Sequence, residues 1–201
     1  IIFSVDAIQS VGVVPTDVIA SGVDFMAVGG HKWMMSPLGT GFLYVTEELQ
    51  SRLKLVHRGY MGHVNPIDFG NFDQELSPNA QRFELGAFNA SGMVGAEKAT
   101  ELLLECGIDS IFRHVRKLIG QFEWGLDELP FKTMYQFEEN EQSSICMFSH
   151  NDASRNEAIF QSLSASGVNI SLRGGGLRLA PHYYNTSDEV DQILALLKGS
   201  S

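Results

Sequence analysis

Short apolar runs alternate with amphipathic segments in the first part of this 201-residue chain, and this alternation constrains the fold more than any other feature. Residues 1–5 and 25–28 are apolar and rich in β-forming side chains, so each predicts a buried strand. Residues 17–21 predict a short helix between them, and residues 41–45 predict a third strand that leads into a helix. This order predicts an α/β fold with a mostly parallel sheet covered by helices. In such sheets, ligands bind at the carboxyl ends of the strands.

The first two predicted strands end in residues that carry chemistry. Asp6 follows the first strand, and the stretch Gly30-His31-Lys32 follows the second. A carboxylate and a lysine at one sheet edge suit pyridoxal 5'-phosphate, because the lysine holds this cofactor as a Schiff base and the carboxylate keeps its ring nitrogen protonated. We therefore predict Asp6 and Lys32 as cofactor-binding residues, with Lys32 also catalytic. Gln9 is spaced to reach the ring hydroxyl, and His31 to donate to the phosphate.

Composition and charge exclude several classes of protein. The chain is 44% hydrophobic and carries a net charge of −10, so it is expected to fold and to lack the cationic surface that nucleic acid requires. Its two cysteines, Cys106 and Cys146, are too few for a disulfide framework, and no Cys/His cluster has metal-ligand spacing. A reduced, cytoplasmic setting without a metal site is therefore expected. No apolar run approaches the roughly 18 residues that cross a bilayer, so no membrane association is expected.

The middle of the chain predicts a long loop and then a domain boundary. Glycine, proline and aromatic residues replace any regular period over residues 57–82, which is typical of a functional or interfacial loop. Helical periodicity returns over residues 91–106 and again over residues 108–129. We place the boundary between these helices, so that residues 1–107 and residues 108–201 form separate domains.

The second predicted domain has the pattern of a small α+β unit. A helix is predicted over residues 153–166, and Thr186 to Glu189 form a capping box that opens a last helix. The glycines of Arg173-Gly174-Gly175-Gly176 predict a hairpin turn rather than a phosphate-binding loop, because the lysine and helix of such a loop do not follow. Strands are predicted over residues 144–148, 168–172 and 177–180.

Four stretches in a fixed order carry a resemblance that covers essentially the whole chain. They are Asp6–Gly12, Gly30–Trp33, Arg82–Gly86 and Leu177–Thr186. Together they resemble the class V aminotransferases, a family of fold type I pyridoxal-phosphate enzymes, which are aspartate aminotransferase-like. This family holds cysteine desulfurases, selenocysteine lyases, kynureninases and isopenicillin N epimerase. The resemblance implies that residues 1–107 are the carboxyl-terminal part of a large cofactor-binding domain and that residues 108–201 are the small domain.

The resemblance also implies a role for each candidate site residue. Asp6 would hold the pyridine nitrogen, Gln9 the ring oxygen, His31 the phosphate and Lys32 the aldehyde carbon. Arg178 would bind the α-carboxylate of the substrate, for which a planar guanidinium is suited because it pairs bidentately. Family members are longer than this chain and carry the remainder of the site in the preceding part. The isolated chain is therefore expected to bind cofactor weakly and to be inactive.

Three departures from the family pattern bear on the reaction. Gly29 stands where the family often has Ser, and Ala87 where it has Thr, so two hydroxyl donors to the cofactor phosphate are missing. Desulfurases carry a catalytic Cys before the strand of the substrate arginine, and residues 168–178 contain none.

The missing cysteine favours an aminotransferase or epimerase-like enzyme that acts on an amino acid, whereas Gly29 and Ala87 motivate an interpretation without catalysis. A lyase similar to cysteine desulfurase or selenocysteine lyase is one alternative, and a non-catalytic homologue that serves as an interaction module is another. The family forms homodimers with shared sites, so residues 57–87 are expected to cross into the partner.

Overall fold

The computed structural model describes residues 1–71, 73–135 and 141–199. Phe72, which is part of the predicted loop, lies outside the described residues. The chain divides into two compact units, Ile1–Cys106 and Gly107–Ser201. Their assignment to a large and a small enzyme domain stays a prediction.

A three-stranded sheet forms the centre of the first unit, with strands in the order β1 (Ser4–Asp6), β2 (Phe25–Gly29) and β3 (Gly41–Val45). The β1 and β2 strands pair in parallel, and β2 and β3 pair antiparallel. The α/β class is confirmed, with a sheet that is mixed in this part of the fold. The antiparallel pairing arises because the segment between β2 and β3 contains no helix and is too short for a crossover connection.

The hydrophobic core at this sheet is formed by residues of β2 and by residues next to the ends of β1 and β2. Four buried residues form its centre: Ala7, Val23, Met26 and Val28. Half-buried side chains pack against them, namely Val5, Val11, Val18, Met34 and Tyr44. The predicted strands therefore owe their stability to apolar residues that alternate across the pleat and to the turns that follow them.

Two helices complete the regular structure of the first unit, α1 (Glu47–Arg52) and α2 (Ala90–Cys106). Thr46 caps α1, because its Oγ1 accepts a hydrogen bond from the N–H of Leu49 at 3.3 Å. Asn89 caps α2 in the same way, since its Oδ1 accepts from the N–H of Gly92 at 2.9 Å. Residues 57–82 carry two short 3-10 helices, Tyr60–Gly62 and the start of Ala80–Phe83, and an isolated bridge between His63 and Leu76.

The helix predicted over residues 17–21 is wrong, because the structure has successive turns there. Asp17 Oδ1 accepts hydrogen bonds from the N–H groups of Ile19 and Ala20, at 2.9 and 3.0 Å. These bonds satisfy the donors that a first helical turn leaves open, and Gly22 ends the segment with φ of 66°. A helix this short does not repay the entropy cost of its first turn.

The second unit packs helices on an antiparallel sheet. Its helices are α3 (Ile108–Leu126), α4 (Asn156–Ala165) and α5 (Ser187–Gly199), and a short 3-10 helix, Ala153–Arg155, precedes α4. Its strands are β4 (Phe131–Thr133), β5 (Cys146–His150), β6 (Ser171–Arg173) and β7 (Gly176–Leu179), in the spatial order β4-β5-β7-β6. The predicted α+β pattern holds, although β4 was not expected and β6 starts later than expected.

Among the described elements of this unit, helix α3 contributes the largest number of buried apolar residues to the core. One face of the helix is buried, as its periodicity predicted: Ile111, Val115, Leu118, Ile119, Phe122 and Leu126. Across the described residues, the helices are either too short or too polar to traverse a lipid bilayer.

Candidate functional site

The parallel pairing of β1 and β2 brings the predicted site residues of the first unit to one edge of the sheet. Asp6 is the last residue of β1 and lies opposite Ala27 in the register. Strand β2 ends two residues after Ala27, at Gly29, and His31 and Lys32 follow directly. Because neighbouring parallel strands end at the same edge, Asp6 and the segment that carries Lys32 share it.

A tight turn after β1 orients Asp6 and Gln9. The Oδ1 atom of Asp6 accepts a hydrogen bond from the N–H of Ile8 at 3.1 Å, and the N–H of Ala7 donates to Ala27 O at 2.9 Å. The carbonyl of Ala7 then accepts from the N–H groups of Ser10 and Val11, both at 3.1 Å. Asp6 is exposed and Gln9 is half-buried. The turn thus holds a carboxylate that faces solvent.

The segment after β2 is closed by its own backbone. The N–H of Gly30 donates to Thr40 O at 2.9 Å, and the N–H of Ser36 donates to Gly30 O at 2.8 Å. Trp33, the residue after the lysine, is buried at 4% exposure. His31 and Lys32 are exposed, and among the described residues Lys32 forms no ion pair with Asp6. The amine and the imidazole are therefore open to a ligand.

The turn after β1 and the segment after β2 touch each other. A Cβ atom built on Gly29 would lie 2.9 Å from Ile8 Cδ1 and 3.4 Å from His31 Cε1. A Cβ atom built on Gly12, whose φ is 100°, would lie 2.9 Å from the carbonyl carbon of Trp33. The structure therefore places the segments of Asp6, Gln9, His31 and Lys32 side by side, and their roles stay predictions.

Arg178 belongs to the second unit. It lies in β7, opposite Met147 of β5 and Ser171 of β6, and it is half-buried. Its Nε atom is buried, and within the described ranges it has no hydrogen-bond partner. A buried guanidinium nitrogen without a partner costs free energy, which an anionic ligand removes. This geometry fits the predicted contact with a carboxylate.

The β6–β7 hairpin is as tight as its glycines predicted. Arg173 pairs with Gly176, so Gly174 and Gly175 alone form the turn, with φ of 58° and 79°. The side chain of Asn156, which is 2% exposed, fixes the turn by donating through Nδ2 to Gly175 O at 2.7 Å. No cysteine lies in this hairpin, and there is no room in the turn for an inserted loop.

The two cysteines lie elsewhere. Cys146 is fully buried in β5, and burial raises the pKa of its thiol to about 11, so the reactive thiolate is suppressed at neutral pH. Cys106 is exposed at the end of α2 in the first unit. In the described ranges, no group of three or more His, Cys, Asp or Glu side chains is arranged to hold a metal ion.

Two features of the site were missed by the sequence analysis. Ile8 fills the space beside Gly29, and Met35 takes a left-handed backbone conformation with φ of 50°. Both depend on contacts between segments that are distant in sequence, and no local pattern signals them. The cap of α2 has a local signal that was not used, because Asn89 is a favoured cap residue directly before the helical period.

Comparisons with known proteins add a family model, relatives and solved structures. The model described as Aminotransferase class-V matches residues 1–193. A probable cysteine desulfurase of Methanothermobacter thermautotrophicus is 27% identical over 208 residues, which cover 96% of this chain and 51% of that protein. The uncharacterized aminotransferase YcbU of Bacillus subtilis is 30% identical over 195 residues, which cover 95% and 50%.

The fold has a solved counterpart in the apo structure of a cysteine desulfurase from Thermococcus onnurineus NA1. The two structures match with a TM-score of 0.87 at 24% sequence identity, over 98% of this chain and 52% of the other. The chain thus spans about half the length of the relatives that it matches.

Proposed function

This chain belongs to the class V aminotransferase family, as its four motif stretches predicted, and from that premise we propose that it carries part of the site of a pyridoxal-phosphate-dependent enzyme acting on an amino acid. The observation that supports the proposal most directly is the parallel pairing of β1 and β2. This pairing brings Asp6 and the segment that carries Lys32 to the same edge of the sheet. The fold is that of fold type I enzymes, which matches the sequence prediction.

The residues at this edge fit the cofactor. An exposed carboxylate, imidazole and amine lie on two adjoining segments, at Asp6, His31 and Lys32, and Gln9 lies half-buried between them in sequence. These groups match, in charge and donor type, the pyridine nitrogen, the phosphate, the aldehyde and the ring oxygen. When bound, pyridoxal phosphate supplies an electron sink for the charge that remains when a bond to the substrate α-carbon breaks.

Each residue then has a definite task. The carboxylate of Asp6 holds a proton on the ring nitrogen, because an adjacent negative charge favours the protonated form. His31 donates a hydrogen bond to the phosphate, and Gln9 donates to the ring oxygen. Lys32 Nζ would hold the cofactor covalently and would also serve as the base that takes a proton from the substrate α-carbon. Arg178 would bind the substrate carboxylate through its guanidinium, whose buried Nε atom has no hydrogen-bond partner among the residues that the structure describes.

The reaction at the α-carbon has two candidate classes. The absence of a cysteine from the β6–β7 hairpin supports an aminotransferase or epimerase-like reaction, because the catalytic cysteine of desulfurases precedes the strand of the substrate arginine. The raised pKa of the buried Cys146 thiol also disfavours that residue as a sulfur acceptor. The names of several relatives, probable cysteine desulfurases, favour a lyase. A lyase on this scaffold would have to release its leaving group without a protein thiol in the β6–β7 hairpin.

A second copy of the protein is part of the proposal. Apolar side chains of the segment 57–87 and its neighbour Phe88 are exposed in this chain, namely Val64, Ile67, Phe69, Leu85 and Phe88. So large a set of exposed apolar side chains in one segment is typical of an interface. We propose that this segment crosses into the partner subunit of a homodimer.

The test of the cofactor proposal uses the full-length protein. Purified protein is incubated with pyridoxal phosphate, reduced with sodium borohydride and digested, and the cofactor mass is expected on the peptide that contains Lys32. Lys32→Ala removes this mass, and the matched control Lys54→Ala, which changes an exposed lysine of the same unit, retains it. Wild-type protein that carries no cofactor mass on Lys32 would establish the alternative of a non-catalytic homologue.

The same preparation separates the two reaction classes. It is incubated with a panel of amino acids that includes cysteine and cystine. Formation of a keto acid together with an aminated acceptor, or inversion at the α-carbon, supports the first class. Release of sulfide or persulfide with alanine or pyruvate supports the lyase.

A further inference from the structure

Met35 is the only residue other than glycine that has a left-handed backbone in the part of the chain that the structure describes, with φ of 50°. It lies three residues after Lys32, between β2 and β3. Residues with a side chain avoid this conformation because Cβ approaches the following carbonyl oxygen. Such a conformation persists only where the surrounding structure fixes the backbone, and it occurs often at functional sites.

Hydrogen bonds fix the backbone on both sides of Met35. Its N–H donates to Lys32 O at 2.9 Å, which closes a turn over residues 32–35. The next residue, Ser36, donates through its N–H to Gly30 O at 2.8 Å. Met35 therefore lies where two backbone hydrogen bonds meet, one accepted by the carbonyl of Lys32 and one accepted by the carbonyl of Gly30.

Packing prevents the turn from relaxing inward. Trp33 is 4% exposed and Lys32 is exposed, so the turn divides its first two side chains between the interior and solvent. The backbone of Gly12 lies against the turn, since a Cβ on Gly12 would lie 2.9 Å from the carbonyl carbon of Trp33 and 3.0 Å from Met34 N. Any shift of the turn toward Gly12 would meet this backbone.

We propose that the left-handed conformation of Met35 positions Lys32. It reverses the chain directly after the Lys32 turn, so that Trp33 is held inside and the lysine side chain is held outside, on a segment that adjoins the turn after β1. Met35 is a positioning residue that acts through the carbonyl of Lys32. The proposal rests on the proposed function, in which Lys32 Nζ is the attachment point.

The test replaces Met35 by residues that differ in their tolerance of this conformation. Met35→Val introduces a β-branched side chain, which disfavours it most, and Met35→Asn introduces a residue that tolerates it. Met34→Val is the matched control, because it makes the same exchange at the preceding methionine, whose backbone is not left-handed. Three quantities are measured in the full-length protein: the Tm, the acetylation rate of Lys32 relative to Lys54 without cofactor, and the rate at which borohydride fixes pyridoxal phosphate to Lys32.

Met35→Val is expected to slow cofactor attachment about tenfold and to change the acetylation ratio, because a small displacement of a reacting group has a large effect on rate. Met35→Asn and Met34→Val are expected to match wild type in both. A Met35→Val protein with a lowered Tm but unchanged attachment and acetylation would show a purely structural role and overturn the proposal.

Two further outcomes are interpretable. If Met35→Val does not fold, Met35→Ala is compared with Met35→Gly, and slower attachment in the alanine variant alone is expected. Equal rates in these two variants would overturn the proposal. If wild-type Lys32 takes no cofactor, the proposed function fails, and the acetylation ratio alone decides whether Met35 positions the lysine.

Discussion

The side chain of Ile8 occupies the space that a side chain at residue 29 would need. A Cβ atom on Gly29 would lie 2.9 Å from Ile8 Cδ1, at the point where the turn after β1 meets the end of β2. The contact gives a structural reason why glycine stands at residue 29, where the family often has serine. A serine at this position and an isoleucine at residue 8 compete for one volume, and this chain has the isoleucine.

Gly29→Ser is therefore expected to be tolerated but strained. The conflicting atom is the terminal methyl of Ile8, which moves into another rotamer at a cost of about 1 kcal/mol. The double variant Gly29→Ser with Ile8→Val removes that methyl and frees the hydroxyl to donate to the cofactor phosphate. We expect it to tighten pyridoxal-phosphate binding about tenfold relative to wild type, because a hydrogen bond to a charged acceptor contributes about 1.5–3 kcal/mol.

The measurement is the dissociation constant of the cofactor for the full-length protein, by titration of its absorbance. Ile8→Val alone is the control, and it is expected to leave the constant unchanged. A double variant that binds no tighter than Ile8→Val would show that residue 29 does not face the phosphate.

The two cysteines are expected to differ in reactivity. Iodoacetamide at about pH 7 should alkylate the exposed Cys106 and spare Cys146, whose burial raises the pKa of its thiol to about 11. In denaturant both peptides should carry the label, as peptide mass mapping will show. Rapid native labelling of Cys146 would contradict the burial and would make this thiol a candidate sulfur acceptor.

The same thiol predicts how the free energy of unfolding changes at alkaline pH. Its pKa is raised above the ordinary value of 9.0, so the folded state holds the proton more tightly than the unfolded state. The stability that the folded protein gains from keeping this thiol protonated is fully present below pH 9.0 and is lost as the pH rises toward 11. Cys146→Ala should therefore show a smaller loss of stability over that range than wild type.

Several elements were predictable because local pattern and tertiary structure agree. Strand β3 was predicted over residues 41–45 and observed as Gly41–Val45, and the buried face of α3 followed its apolar period. The capping box before α5 also formed, since the N–H of Glu189 donates to Thr186 Oγ1 at 3.3 Å. In each case a few neighbouring residues supply both the propensity and the burial.

The errors arose where distant segments decide the outcome. Strand β4 has three residues and forms because β5 pairs with it, from Phe131 opposite His150 to Thr133 opposite Phe148. The failed helix at residues 17–21 is an exception with a local cause, because the Asp17 side chain bonds to backbone N–H groups two and three residues on. The site was predicted residue by residue from its motifs, but its supporting contacts, such as those of Ile8 and Met35, required the fold.

Asn156 is expected to be the most sensitive polar residue of the second unit. It is 2% exposed, its Oδ1 accepts from the N–H of His150 at 2.9 Å, and its Nδ2 donates to Ser149 Oγ and Gly175 O at 2.9 and 2.7 Å. Asn156→Ala leaves buried partners unsatisfied, so we expect a loss of about 3 kcal/mol in the free energy of unfolding.

Chemical denaturation measures this loss. Gln161→Ala is the control, because the side-chain hydrogen bond of Gln161 within the described part of the chain is an exposed one, to Glu157. We expect this variant to cost less than about 0.5 kcal/mol. Equal losses in the two variants would show that the Asn156 network does not hold the hairpin in solution.

The capping box of α5 makes stability depend on acid pH in a defined direction. Glu189 Oε2 accepts from the N–H of Thr186 at 2.7 Å and from Asn185 Nδ2 at 3.2 Å, and these hydrogen bonds lower the pKa of its carboxyl below the ordinary value of 4.5. A lowered folded pKa means that the stabilisation is present above about pH 4.5 and is lost as the pH falls through the folded value.

Glu189→Gln should therefore lower the Tm at neutral pH, and its difference from wild type should shrink as the pH falls below 4.5. Asp188→Asn is the matched control, because Asp188 also lies in the first turn of α5 and shares the favourable interaction with the helix dipole. If both variants lose the same stability at neutral pH, the dipole accounts for the effect and the hydrogen bonds of the capping box do not. A difference confined to Glu189→Gln assigns the effect to the hydrogen bonds that Glu189 accepts from Asn185 and Thr186. These bonds fix the start of α5, and Asn185 lies seven residues after Arg178 in the sequence.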